Sequence, residues 1–180
     1  MTRRSIRCAT AIFVSLLLVA SAHPQKEKRE PLTGPQIEEI REAGIDPNKR
    51  VSLYTKYLDQ HAETIKGLTS RVKSDARARR LDNELQDFTA LLDELGSNLD
   101  VYFDRKADIR KALKSLNESA PHWLSLLHGL AGEPMFDLAR KEAIESAEDL
   151  SADAKRMEDE ETEYFKIHKD EEGQDRAEPK

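Results

Sequence analysis

The sequence predicts an all-α protein, an elongated antiparallel helical bundle of three long helices with two short accessory helices, and three observations carry that reading. Apolar residues recur at alternating spacings of three and four over most of the chain. Beyond the N-terminal apolar run, valine occurs only at Val51, Val72 and Val101, and no stretch alternates apolar and polar residues over the length of a strand. Capping residues, proline and glycine gather near the ends of the periodic stretches.

The first helix opens on a capping-box pair, Thr33 and Gln36, flanked by Leu32 and Ile37 at hydrophobic-staple positions. It runs to Ala43 and stops at Gly44. Asp46 followed by Pro47 starts the first long helix, whose seam is Val51, Tyr54, Leu58, His61, Ile65, Leu68 and Val72. The polar run Lys73–Arg80 (KSDARARR) is unsuited to a core and reads as a helix-to-helix turn, which makes the flanking helices an antiparallel pair.

The second long helix carries the seam Leu81, Leu85, Phe88, Leu92, Leu95, Leu99, Tyr102, Lys106, Ile109, Leu113 and Leu116, with Lys106 its one polar member. Gly96, Ser97 and Asn98 are a local soft spot in a continuous helix. Pro121 removes an amide donor and disfavours helical geometry at Ala120, so the helix is expected to end or kink between Asn117 and Ala120, leaving His122–Leu130 as a short separate element. Gly129, Gly132 and Pro134 punctuate the next connection. A last long helix starts at about Pro134 and presents Phe136, Ala143, Ala147, Leu150, Ala154, Met157, Glu161, Tyr164 and His168, with alanines that permit close helix approach.

Four regions are expected: a cleaved signal peptide over 1–22, a flexible charged leader over 23–31, the helical bundle over 32–169 and a disordered charged tail over 170–180. Arg3, Arg4 and Arg7 precede an uncharged run from Cys8 to Ala22 that is short for a membrane span and closes on small residues, so cleavage between Ala22 and His23 is expected. The chain is then exported, periplasmic or secreted, with no stable membrane anchor after cleavage. The single cysteine, Cys8, leaves with the signal, and an exported chain without disulfides fits a bacterial source better than a eukaryotic one. A lone sequon, Asn117–Ser119, would matter only in a eukaryote.

Charge narrows the partners. Removing Arg3, Arg4 and Arg7 from 29 basic residues leaves 26 against 35 acids, a net charge of −9, which argues against nucleic acid and anionic membrane surfaces. No phosphate-binding loop, GxSxG elbow or HExxH motif occurs, so no catalytic, cofactor-binding or metal-ligating residue is assigned and no cofactor is expected. His61, His122, His128 and His168 lack the pairing of a bundle metal site, although His61 and His168 fall on seams and could form a pH-sensitive contact. Asp100, Asp104 and Asp108 form an acidic stripe on one helix, beside Lys106, Arg110 and Lys114, and a solvated face is preferred there to a cation site. His122, Trp123 and Leu126 belong to the densest apolar cluster outside the long seams. A plug for one end of the bundle is the preferred reading, and a partner-binding patch the alternative. The functional expectation is a non-enzymatic structural or protein-interaction role in the cell envelope or periplasm, through a protein partner or self-association. The alternative is a periplasmic metal-ion or small-cation binding protein.

Overall fold

The structure, a computed structural model, describes residues 29–173. The expected signal peptide, residues 23–28 of the leader and residues 174–180 of the tail lie outside the described residues. The described chain is all-helical: α1 (Gly34–Glu42), α2 (Pro47–Thr69), α3 (Asp75–Asp104), α4 (Arg110–Gly129), α5 (Asp137–Ile167) and a closing 3-10 turn (Lys169–Glu171).

Local chemistry accounts for most of these ends. The Thr33/Gln36 capping box opens α1, and Gly44 takes a left-handed φ of 63° just beyond its C-cap Ala43. Asp46 accepts from Lys49 N at 3.0 Å ahead of Pro47 in α2, and Ser74 accepts from Arg77 N at 3.2 Å to open α3. The turn between α2 and α3 is therefore Ser70–Ser74, shorter than the expected Lys73–Arg80. Residues 75–80 form the first turns of α3 and bury Arg77 and Ala78, because the Arg77 guanidinium has a carboxylate, Glu133, to meet it.

The bundle has four long helices among the described residues, not three. The expected second helix is divided at Arg105–Ile109 into α3 and α4, while α4 continues through Pro121 and absorbs the element expected at His122–Leu130. Lys106 explains the break, with a left-handed φ of 56°. Its N–H donates to Phe103 O at 3.0 Å and the next N–H, of Ala107, to Tyr102 O at 3.0 Å, a Schellman ending built without glycine. Pro121 is tolerated because it lies on the exposed face of α4, where water can reach the carbonyl it leaves unbonded. The last helix starts at Asp137, with Pro134 in the turn before it.

Around the bundle, α2 packs on α3, α3 on α5, α5 on α4 and α4 on α2, so the sequential helices α3 and α4 are diagonal partners. Adjacent pairs α2/α3 and α4/α5 are antiparallel, while α2/α4 and α3/α5 run parallel. Bonds such as Asn48 to Ala112 and Trp123 to Asp59 set the parallel α2/α4 pair. α1 lies along α2, with Leu32, Ile40 and Ala43 in the core and Tyr57 Oη donating to Glu39 Oε2 at 2.6 Å.

The core follows the predicted seams closely in α2 and α3. Val72 departs from its seam and is 90% exposed, because α2 has ended three residues earlier. In the last turn of α5 the core position falls to Phe165, four residues after Glu161, and Tyr164 and His168 are only half-buried. Gly96 is an uninterrupted part of α3, and a Cβ placed on it would stand 3.6 Å from Leu150 Cδ1, ordinary van der Waals distance. Gly96→Ala is therefore expected to stabilise the protein by about 0.5–1 kcal/mol, raising the thermal midpoint by a few degrees in calorimetry. An unchanged or lowered midpoint would show that α3 and α5 have no room for the methyl group.

Candidate functional site

The strongest concentration of unusual groups lies where α3 crosses to α4. A diagonal crossover delivers the N-terminus of α4 into the bundle with no side-chain cap of its own, since the N-cap residue is the buried Ile109. The missing acceptors come from other helices. Glu161 of α5 places Oε2 3.2 Å from Ile109 N, and Asn48 of α2 places Oδ1 3.1 Å from Ala112 N while its Nδ2 donates to Asp108 O at 2.6 Å. Asp108 in turn accepts from Arg110 Nε at 2.9 Å, Arg110 Nη2 at 2.8 Å and Gly173 N at 3.0 Å, which ties the end of the described chain to the crossover. The Arg110 guanidinium holds the Asp108 carboxyl below its usual range and lies 4.5 Å from the centre of the Phe165 ring.

Glu161 is the exceptional residue of this assembly. It is 2% exposed, and its Oε1 has no hydrogen-bond partner among the described residues. Burial pushes its pKa up to about 7; the Ile109 N–H opposes that rise, Asp108 adds to it, and the cations Arg110 and Lys106 pull against it. Beside it runs a groove of about 500 Å³ lined by Phe103, Lys106, Glu161, Tyr164, Ile167 and His168, together with Asp159, Glu160 and Glu163. The Lys106 ammonium sits 4.4 Å from the centre of the Phe103 ring and 5.6 Å from that of Tyr164. Tyr164 stacks on His168 at 4.1 Å and donates from its hydroxyl to Glu171 Oε2 at 2.6 Å. A carboxyl group of this kind beside aromatic faces can hold a proton near neutrality or receive a cationic donor.

Of the residues singled out in the sequence, Lys106, Asp108 and His168 belong to this assembly, while His61, His122, Trp123 and Leu126 lie elsewhere. Trp123 is 1% exposed; its Nε1–H donates to Asp59 Oδ1 at 2.7 Å, and its ring stands edge-on to Phe88 with centroids 6.0 Å apart. It is a core residue within a continuous helix rather than part of a separate plug for one end of the bundle. His122 is exposed and within hydrogen-bonding distance of Glu118 O, and Leu126 is half-buried against the core, so the three residues do not share one surface. His61 and His168 do not meet: the first pairs with Glu84 of α3 at 2.7 Å, the second with Tyr164 O at 2.9 Å.

The aspartate stripe does not survive as one helical face, because α3 ends at Asp104 and Asp108 turns into the crossover. Asp100 instead shares a shallow groove of about 160 Å³ between α3 and α5 with Asp93, Asp149 and Asp153. Among the described residues no three His, Cys, Asp or Glu side chains are grouped so as to hold a metal ion, and no helix is long and apolar enough to cross a membrane. The sequence places Glu161 on the seam of the last helix without a role; an acid there between Met157 and the ring residues of α5 is the legible sign of a buried carboxylate.

No protein-family model, curated protein or solved structure matches this chain.

The sign of the pH dependence follows from the raised value. Unfolded, Glu161 loses its proton near 4.5; folded, it keeps it to about 7, so unfolding releases a proton in that interval. Its contribution to stability is complete below pH 4.5 and disappears as pH rises through 7, an effect of up to about 3 kcal/mol. Denaturant titrations should therefore show the stability of Glu161→Gln relative to wild type rising between pH 5 and 8. A difference that stays constant with pH would mean that the carboxyl group ionises as if exposed.

Proposed function

We propose that this is an exported, non-catalytic interaction protein whose bundle presents one end to another protein surface, a second copy of itself in the first instance. The observation that supports the reading is the apolar surface at the end opposite the crossover. There Val72 in the α2–α3 turn, Met135 before α5 and Leu138 in its first turn are 90%, 43% and 71% exposed. A groove of about 600 Å³ runs between Lys73–Ala78 and Glu133–Met135. Large apolar side chains gathered in this way are costly to leave in water and are a common mark of an association surface.

Charge supports the same end. Glu133 joins Arg77, which is buried, and Lys73, at 3.4 Å, so the connection before α5 is pinned to the start of α3 and the surface is held rigid. The seams that could have paired between chains are used inside the bundle, which leaves its ends for contact. Export rests on the N-terminal run, with cleavage before His23.

Sedimentation velocity of the chain from His23 should show mass increasing with concentration, without added metal. Val72→Ser combined with Leu138→Ser should weaken that association by about tenfold or more. A wild-type chain that stays monomeric across the range would overturn self-association and assign the end to a different protein. A monomer that becomes compact only with one divalent metal would favour the ion-binding alternative.

A further inference from the structure

We propose that the groove beneath the α3–α4 crossover is a binding site for an alkylammonium group, held between the rings of Phe103 and Tyr164 and the carboxylate of Glu161 in place of the protein's own Lys106. The inference does not depend on the interaction reading above, which concerns the opposite end of the bundle.

Lys106 is the first argument. Its ammonium already occupies the aromatic faces, 4.4 Å from the Phe103 centroid and 5.6 Å from that of Tyr164, so the rings are placed to hold this chemical group. The residue that delivers it stands at a φ of 56°, a left-handed conformation that L side chains occupy at a cost. The flexible stem of a lysine can leave the rings without disturbing the backbone hydrogen bonds of Lys106 and Ala107 to Phe103 and Tyr102.

Glu161 is the second, independent argument. It lines the same groove, is 2% exposed, and has one carboxylate oxygen that no group among the described residues satisfies. A buried acceptor without a donor is costly, and a ligand that brings an N–H removes that cost. The chemistry of the lining narrows the choice. Asp159, Glu160 and Glu163 surround the groove, which disfavours an anion, and a neutral apolar ligand would leave Glu161 as it is. A divalent metal needs several converging oxygens, and no such group is present among the described residues. An ammonium supplies both the charge for the rings and the donor for the carboxylate.

Binding is coupled to protons. Lys106 and Asp108 from the crossover, Arg110 from α4, and Asp159, Glu160, Glu163, Tyr164 and His168 along α5 are the charged or titratable groups around Glu161 and its groove. The neutral carboxyl must ionise to pair with the ammonium, so affinity rises with pH up to neutrality and a proton is released on binding.

Isothermal titration calorimetry of the full exported chain with 1,5-diaminopentane, and separately with the capped tripeptide acetyl-Gly-Lys-Gly-amide, tests the site and distinguishes a free amine from a lysine side chain. Sodium chloride at matched ionic strength and 1-pentanol serve as controls. Saturable binding of at least one ammonium probe is expected, tightened several-fold by Lys106→Ala, which removes the competitor. It should be weakened about tenfold by Glu161→Gln, with loss of the pH dependence. Phe103→Leu should also weaken binding while the helical circular dichroism of each variant stays unchanged. No saturable binding to wild type or to Lys106→Ala, or binding indifferent to Glu161→Gln and Phe103→Leu, would overturn the proposal.

Discussion

The diagonal crossover from α3 to α4 is the constraint on which the rest of the bundle depends. A short connection between neighbouring antiparallel helices can leave its free backbone groups in water. One that passes diagonally across the end of a four-helix bundle buries them, as the exposures of Ala107 and Ile109 show. Each buried N–H then needs an acceptor, and the structure finds one on each helix flanking α4: Asn48 on α2 and Glu161 on α5. These two bonds fix the axial position of α4 against both partners. The residues farther along inherit that register: Trp123 reaches Asp59, and Asn117 donates to Glu158 at 2.6 Å.

The same economy runs through the other contacts between helices. With few aromatic residues, the chain sets several of them so that a donor at the rim of the ring meets a carboxylate on another helix. Tyr54 donates to Glu94 across α2 and α3, Tyr57 to Glu39 across α1 and α2, and Trp123 to Asp59 across α4 and α2. The apolar body of each ring is buried while its polar tip finds an ionised partner. Burial and the Glu39 carboxylate push the Tyr57 hydroxyl up to about 12, so the pair keeps its proton on the tyrosine across the physiological range. Such pairs specify which helix meets which, something that interchangeable leucines do poorly.

The sequence made the helices legible and their connectivity only partly so. Caps at Thr33 and Asp46 act locally, and the structure uses both. The break at Arg105–Ile109 is hidden because Lys106 and Ile109 keep the spacing of four and three through the turn, and because the left-handed position carries lysine where glycine or asparagine would have announced it. Pro121 misled in the opposite direction: on an exposed face its missing donor costs little, and burial of Trp123 and Leu127 beyond it carries the helix through. The α2–α3 turn is shorter than the sequence predicts because Arg77 counts as polar until its carboxylate partner, Glu133, is known. A seam containing Glu161 was visible; the unsatisfied oxygen was not, since it depends on a crossover that periodicity cannot reveal.

Structural and ligand-facing roles meet in one residue for a physical reason. A carboxylate has two oxygens, and the end of α4 needs only one of them, so capping a buried helix end in this way leaves an acceptor over. An Asn or Gln could cap the same N–H at lower desolvation cost, as the half-buried Asn48 does nearby for Ala112 N. Retaining an ionisable group carries a stability cost that grows as pH approaches 7, and capping alone does not account for it. Functional sites are where local rules of folding are most often violated. Here the violation lies beside a groove whose rings already hold an ammonium, so the unsatisfied oxygen and the occupied aromatic faces form one site rather than two separate defects.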